Sequence, residues 1–239
     1  MGKILTKEIA QKLLEKADSA DLSKYLELEE DAAQILAGFP SALELNGLKS
    51  LPDKAARALL PHESGLYLNG LQAITDSLAT ILCKYRGSVL YFDGIRKISD
   101  SAVKTLARFK RSLSLGLTEL SEHQASLLSK RTGNNLILRN LRTISESAAH
   151  RLGMCRARCL DLDGIVELSD KAILGLTQHN ALSLTNLRKI SETGLEALIS
   201  YHRDGGTLYI RTLRERFLAA KAKRVDEKAM KKTGGKKKA

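Results

Sequence analysis

LYFDGIRKISDSAVKTLARFKRS, running from Leu90 to Ser112, decides how this chain folds. Leu90 and Phe92 alternate with Tyr91, the period-two pattern of a short strand with one face buried. Gly94 follows, where the chain must turn out of the strand. Ile95 and Ile98 are spaced to keep pointing inward through the turn. Ser99-Asp100 then opens a helix: the serine hydroxyl accepts from an unpaired backbone N–H, and the aspartate faces the positive helix end. Ala102, Val103 and Leu106 lie on one helical face.

The same grammar recurs along the chain. Ala20/Leu22, Leu43/Leu45, Leu66/Leu68, Leu90/Phe92, Leu113/Leu115, Leu136/Leu138, Leu160/Leu162, Leu182/Leu184 and Leu208/Ile210 form nine apolar-x-apolar pairs. Their first members are 23, 23, 24, 23, 23, 24, 22 and 26 residues apart. A period of this length is one supersecondary unit copied many times, which predicts a solenoid in which each coil is buried by its neighbours. The inward turn position holds Tyr25, Leu48, Leu71, Ile95, Leu117, Leu141, Ile165 and Leu187. The helix cap is Thr75, Ser99, Ser121, Ser145, Ser169 or Ser191, each followed by Asp or Glu, and Pro52 takes the place in an earlier unit. Eight residues after the residue preceding each cap stands a leucine, from Leu36 to Leu198. The predicted organisation is an N-terminal helical cap over residues 1–19, a repeat array over 20–213, a basic helix over 214–232 and a disordered Lys-rich tail over 233–239.

The unit L-x-L-x-G-L-x-x-I-S-D-x-A-x-x-x-L resembles the leucine-rich repeat over about residues 1–213, and is most similar to the subclass in which an Ile-Thr-Asp step, here Ile74-Thr75-Asp76, enters a convex helix. The resemblance implies an α/β horseshoe: a parallel concave sheet of about nine short strands, convex helices, and a role in binding proteins. The chain departs from the family at the position usually held by Asn or Cys, which is Leu or Ile here. A buried polar ladder at that position is therefore not expected.

The formal charge is +12, from 39 Lys or Arg and 27 Asp or Glu. It is concentrated at one end: residues 211–239 carry 12 basic and 3 acidic residues, which leaves 27 and 24 for residues 1–210. Lys221, Lys223, Arg224, Lys228, Lys231, Lys232, Lys236, Lys237 and Lys238 form a candidate polyanion-binding tail, for nucleic acid or an acidic surface. No apolar run is long enough to span a bilayer. The charged N-terminus does not read as a secretory signal, and Gly2 with Thr6 matches a myristoylation sequence only weakly. Three cysteines, Cys83, Cys155 and Cys159, read as free thiols in a reducing, cytoplasmic setting.

Candidate binding residues follow from strand geometry. The middle residue of each L-x-L, and the one after the pair, point away from the core. This gives a concave face of Glu44, Asn46, Tyr67, Asn69, Tyr91, Asp93, Ser114, Ile137, Arg139, Asp161, Asp163, Ser183, Thr185, Tyr209 and Arg211, of which all but Ser114, Ser183, Thr185 and Arg211 are the candidate partner-binding residues. Tyr67 and Tyr91 should be neighbours, and tyrosine is enriched in binding hot spots. Asp161 and Asp163 are the only arrangement suggestive of paired carboxylates, and no partner acid accompanies them. His62, His179 and His202 fall near helix C-termini, where a partly protonated imidazole suits the negative end. With no phosphate loop, metal-ligand cluster or spaced nucleophile, the expectation is a non-enzymatic interaction protein without cofactor or metal, whose partner protein is unidentified.

Overall fold

A computed structural model of the chain describes residues 3–16, 22–220 and 222. Ala20, Gly2 and the tail cations from Lys221 onward lie outside these residues. The main sheet has eight parallel strands in chain order: β3 (Leu43–Glu44), β4 (Gly65–Tyr67), β5 (Val89–Phe92), β6 (Ser112–Leu115), β7 (Leu136–Ile137), β8 (Leu160–Asp161), β9 (Ala181–Ser183) and β10 (Thr207–Tyr209). Each is followed by a helix that packs on the helices of adjacent coils: α3 (Asp53–Ala58), α4 (Asp76–Leu82), α5 (Asp100–Leu106), α6 (Glu122–Leu128), α7 (Glu146–Gly153), α8 (Asp170–Leu176) and α9 (Glu192–Arg203) follow β3 to β9. After β10 a helical segment covers residues 214–220 and buries Phe217. The fold is a leucine-rich-repeat solenoid.

The start of the array differs from the sequence expectation. The first coil adds no strand to the main sheet, which therefore has eight strands among the described residues rather than nine. Instead β2 (Tyr25–Leu28) pairs in parallel with β1 (Lys3–Leu5), and Leu5 lies beside Leu28. These two strands belong to the limb that descends from the turn to the helix. The N-terminal cap is thus a descending limb plus α1 (Lys7–Lys16), packed on α2 (Glu30–Leu36), and not a helix alone.

The interior is the predicted leucine seam. Leu22, Leu43, Leu45, Leu66, Leu68 and each later pair through Leu184 are buried, as are all eight turn positions and all eight helix leucines. Burying one such side chain contributes on the order of 1.5–3 kcal/mol. Thr75, Ser99, Ser121, Ser145, Ser169 and Ser191 each accept from the backbone N–H three residues on. The acid after three of these caps has a second role, because it accepts from the cap hydroxyl of the next coil: Ser99 donates to Asp76 (2.5 Å), Ser169 to Glu146 (3.0 Å) and Ser191 to Asp170 (2.5 Å).

A further buried row emerges three residues past each helix leucine: Phe39, His62, Tyr85, Phe109, Arg131, Cys155, His179 and Tyr201. It fills the edge where helices return to the sheet. Its chemistry varies freely from coil to coil. Arg131 is fully buried and donates to the carbonyls of Phe109, Arg111 and Asn135. Burial lowers its pKa to about 10. His62 and His179 are also buried, and burial lowers both of their pKa values. They are neutral core rungs, not the charged helix caps expected from their place in the sequence. Backbone groups of Gly65, Ala37 and Phe39 favour charge on His62 weakly, but neither ring nitrogen is in hydrogen-bonding geometry. His202 lies in the last turn of α9, as expected; it is exposed and edge-on to Phe217.

Candidate functional site on the concave face

Register places the outward residues of the strands in a single row: Glu44, Tyr67, Tyr91, Ser114, Ile137, Asp161, Ser183 and Tyr209. Eight strands about 4.8 Å apart give this face a length near 35 Å. Tyr67 and Tyr91 stack, with ring centroids 4.4 Å apart and planes 12° from parallel. Each ring is half-buried. Burial, reinforced by Tyr67 and Asp93, raises the Tyr91 pKa, so its hydroxyl stays protonated. The pair offers two stacked apolar surfaces with two polar tips.

The centre of the row is more enclosed than the sequence suggests. Ile137 is 5% exposed and Asp161 6%. Arg139 lies over Asp161, with Nε and one terminal nitrogen 2.8 and 2.7 Å from Oδ2. Burial raises the Asp161 pKa in spite of this bond. On Arg139 burial works against the charge, yet the contacts with Asp161 outweigh it and the guanidinium pKa is raised. The two directions agree with exposure, because the arginine side chain is 56% exposed and the aspartate 9%. Desolvation therefore falls mainly on the acid.

A second row runs beside the first. Asn46 Oδ1 accepts from Asn69 N (3.3 Å), Asn69 Oδ1 from Asp93 N (2.9 Å), and Asp163 Oδ1 from Thr185 N (2.9 Å) and Ser183 Oγ (2.7 Å). Asp93 accepts from Ser114 Oγ. Asp161 and Asp163 are thus engaged as structural acceptors on adjacent rows and do not converge on a cleft. Glu44 and Tyr209 are exposed towards the two ends of the row.

The seam beside these rows explains two asparagines that the repeat pattern passes over. At Gly70, Gly94, Gly116 and Gly164 an added Cβ would stand 2.0–2.2 Å from a carbonyl oxygen of the previous coil. Asn140 and Asn186 occupy the equivalent position. They donate to the carbonyls of Asp93 (2.9 Å) and Asp163 (2.7 Å). A polar ladder therefore exists, but it sits at the glycine position and on the concave rim, not at the buried turn position.

No family model matches the chain, and no curated protein matches it. Among solved structures, an internalin from Listeria monocytogenes is similar at 18% identity and a TM-score of 0.41, over 74% of this chain and 66% of that protein. The leucine-rich-repeat architecture rests on the register and burial described above. No helix among the described residues is long and apolar enough to cross a membrane.

Proposed function

We propose that this leucine-rich-repeat solenoid is a non-enzymatic interaction scaffold that holds a partner protein on its concave face. The stacked Tyr67–Tyr91 pair carries the reading. It places two large rings side by side in a row that is polar around them, with Glu44 on one side and Ser114 and, beyond Ile137, the Arg139–Asp161 pair on the other; the row's third ring, Tyr209, stands apart at its far end. Aromatic anchors inside a polar rim are the arrangement in which a few residues supply most of the binding free energy. The face is long enough to bury a standard interface.

The test is co-purification from the native cell, followed by reconstitution with the recovered protein. The double substitution Tyr67→Ala/Tyr91→Ala should weaken binding by 2 kcal/mol or more, about thirtyfold, with an unchanged circular dichroism spectrum. Equal affinity for the wild type and the double variant would remove the concave face as the site. A second reading is favoured by the concentration of charge in residues 211–239: the tail contacts nucleic acid or an acidic surface. Replacing its lysines by glutamine should then abolish the salt-dependent part of any such association.

A further inference from the structure

The charge of the array, nearly balanced along the chain, is segregated in space. The segments returning from helix to strand in four successive coils, residues 83–88, 107–111, 129–135 and 154–159, hold nine Lys or Arg and no Asp or Glu. Only Arg131 among them is buried. Two residues past the last helix leucine, the exposed side chains are Lys84, Arg108 and Lys130; two residues further they are Arg86, Lys110 and, a coil beyond Thr132, Arg156. Arg111 and Arg158 widen the strip. None of the eight exposed cations forms an ion pair with a carboxylate among the described residues, and Lys110 donates to Thr132 Oγ1 at 2.8 Å. The strip has definite ends. The equivalent positions before it are Pro61 and Glu63, and after it Gln178 and Asn180. Where it begins, Arg86, Arg108, Lys110 and Arg111 line an open cleft of about 520 Å³, with Glu63 as the single acid at its rim.

Eight cations without a carboxylate partner along one edge repel one another and are retained at a cost in stability. We propose that this edge binds the phosphate backbone of a nucleic-acid duplex, independently of sequence. Five of the eight cations are arginine, whose planar fork pairs with phosphate through two bonds. The aromatic rungs beneath the strip, Tyr85 and Phe109, are buried, so no ring is free to stack on an unpaired base. Met154 is the one large apolar side chain exposed among these segments. The strip therefore lacks both the apolar centre of a protein interface and the inserted side chains of a membrane-binding surface. A duplex carries one charge per about 1.7 Å, denser than an acidic polypeptide can reach at about 3.3 Å per extended residue, and it releases most counterions on such a surface. The acidic residues of the concave face, Glu44, Asp93, Asp161 and Asp163, keep this site apart from the protein-binding one.

The experiment uses the full chain, tail included, and a labelled DNA duplex of scrambled sequence between about 50 and 200 mM salt. The edge variant carries Lys84→Gln, Arg86→Gln, Arg108→Gln, Arg111→Gln and Arg156→Gln. A control of equal charge carries Lys49→Gln, Lys54→Gln, Lys97→Gln, Lys104→Gln and Arg188→Gln, elsewhere on the array. The edge variant should lose at least tenfold in affinity at the lower salt, and its salt slope should fall by about 4.5, from about 0.9 per lost phosphate contact. The control and the Tyr67→Ala/Tyr91→Ala variant should bind the duplex as the wild type does. The proposal is overturned if the full chain shows no salt-dependent duplex binding. Equal binding by the edge variant overturns it too, since the tail would then be the site, as does equal loss in the control. Tighter capture of polyglutamate or of phosphatidylglycerol vesicles than of the duplex likewise overturns it.

Discussion

Replacing Arg131 by Met sets two large opposing effects against each other. Arg131 is fully buried and has no acidic partner, and burial lowers its pKa from 12.5 to about 10. That shift corresponds to about 3 kcal/mol against the charged side chain. On the other side are bonds to the carbonyls of Phe109 and Arg111 and a longer one, 3.4 Å, to Asn135. A hydrogen bond to a charged group contributes about 1.5–3 kcal/mol; two such bonds and a weaker third total about 4–7 kcal/mol. Methionine keeps the apolar stem and loses the fork. The balance predicts that Arg131→Met destabilises the protein by about 1–4 kcal/mol, about 2–16 °C in Tm for a domain of this size. Arg131→Lys should fall between, since an ammonium lacks the planar fork that spans several carbonyls. Differential scanning calorimetry at neutral pH reads both shifts. A Met variant as stable as the wild type, or more so, would refute the reasoning and show that desolvation outweighs the carbonyl bonds.

Gly116→Ala should destabilise by more than 3 kcal/mol, because its Cβ would meet Asp93 O at 2.0 Å and backbone must move, whereas Gly205→Ala (φ 101°, open space around it) should cost only about 1 kcal/mol of backbone strain; urea unfolding distinguishes them. Ser99→Ala removes a helix cap and the bond to Asp76, and should cost about 1–2 kcal/mol in the same assay. His62 has a folded-state pKa below its ordinary value of 6.5, so the stability it confers is present above pH 6.5 and is lost as pH falls through the folded-state pKa. His62→Phe should therefore flatten the decline of Tm on acidification below pH 6.5, and a wild-type slope in the variant would contradict the assignment.

Most of the fold was legible because a solenoid repeats its constraints. The seam leucines and the Ser/Thr-Asp caps occupy fixed positions, and each was read from a single unit and found again in the next. The row from Phe39 to Tyr201 was not legible, since phenylalanine, histidine, tyrosine, arginine and cysteine share a place but no residue class. There the requirement is volume under a loop, and several chemistries meet it. Asn140 and Asn186 were missed for the converse reason: they stand where glycine avoids a carbonyl, and instead of avoiding it they donate to it. The enclosure of Asp161 involves Arg139, which reaches it from the preceding coil, a contact that strand alternation alone does not show. The basic edge was hidden because acids elsewhere in each unit offset its cations in the total, and the repeat period that stacks the cations on one edge was read only for its apolar residues.

Glycine or asparagine at one place in seven successive coils, from Gly47 to Asn186, has a consequence for how such a chain can grow. Any inserted unit that supplies one of these two residues there, a leucine pair and a capping hydroxyl meets both of its neighbours' demands at once. Arrays of this kind can therefore gain or shed whole coils by duplication, each step changing the reach of the inner surface by one strand's width, about 4.8 Å, while the residues lining the rest of it stay where they were.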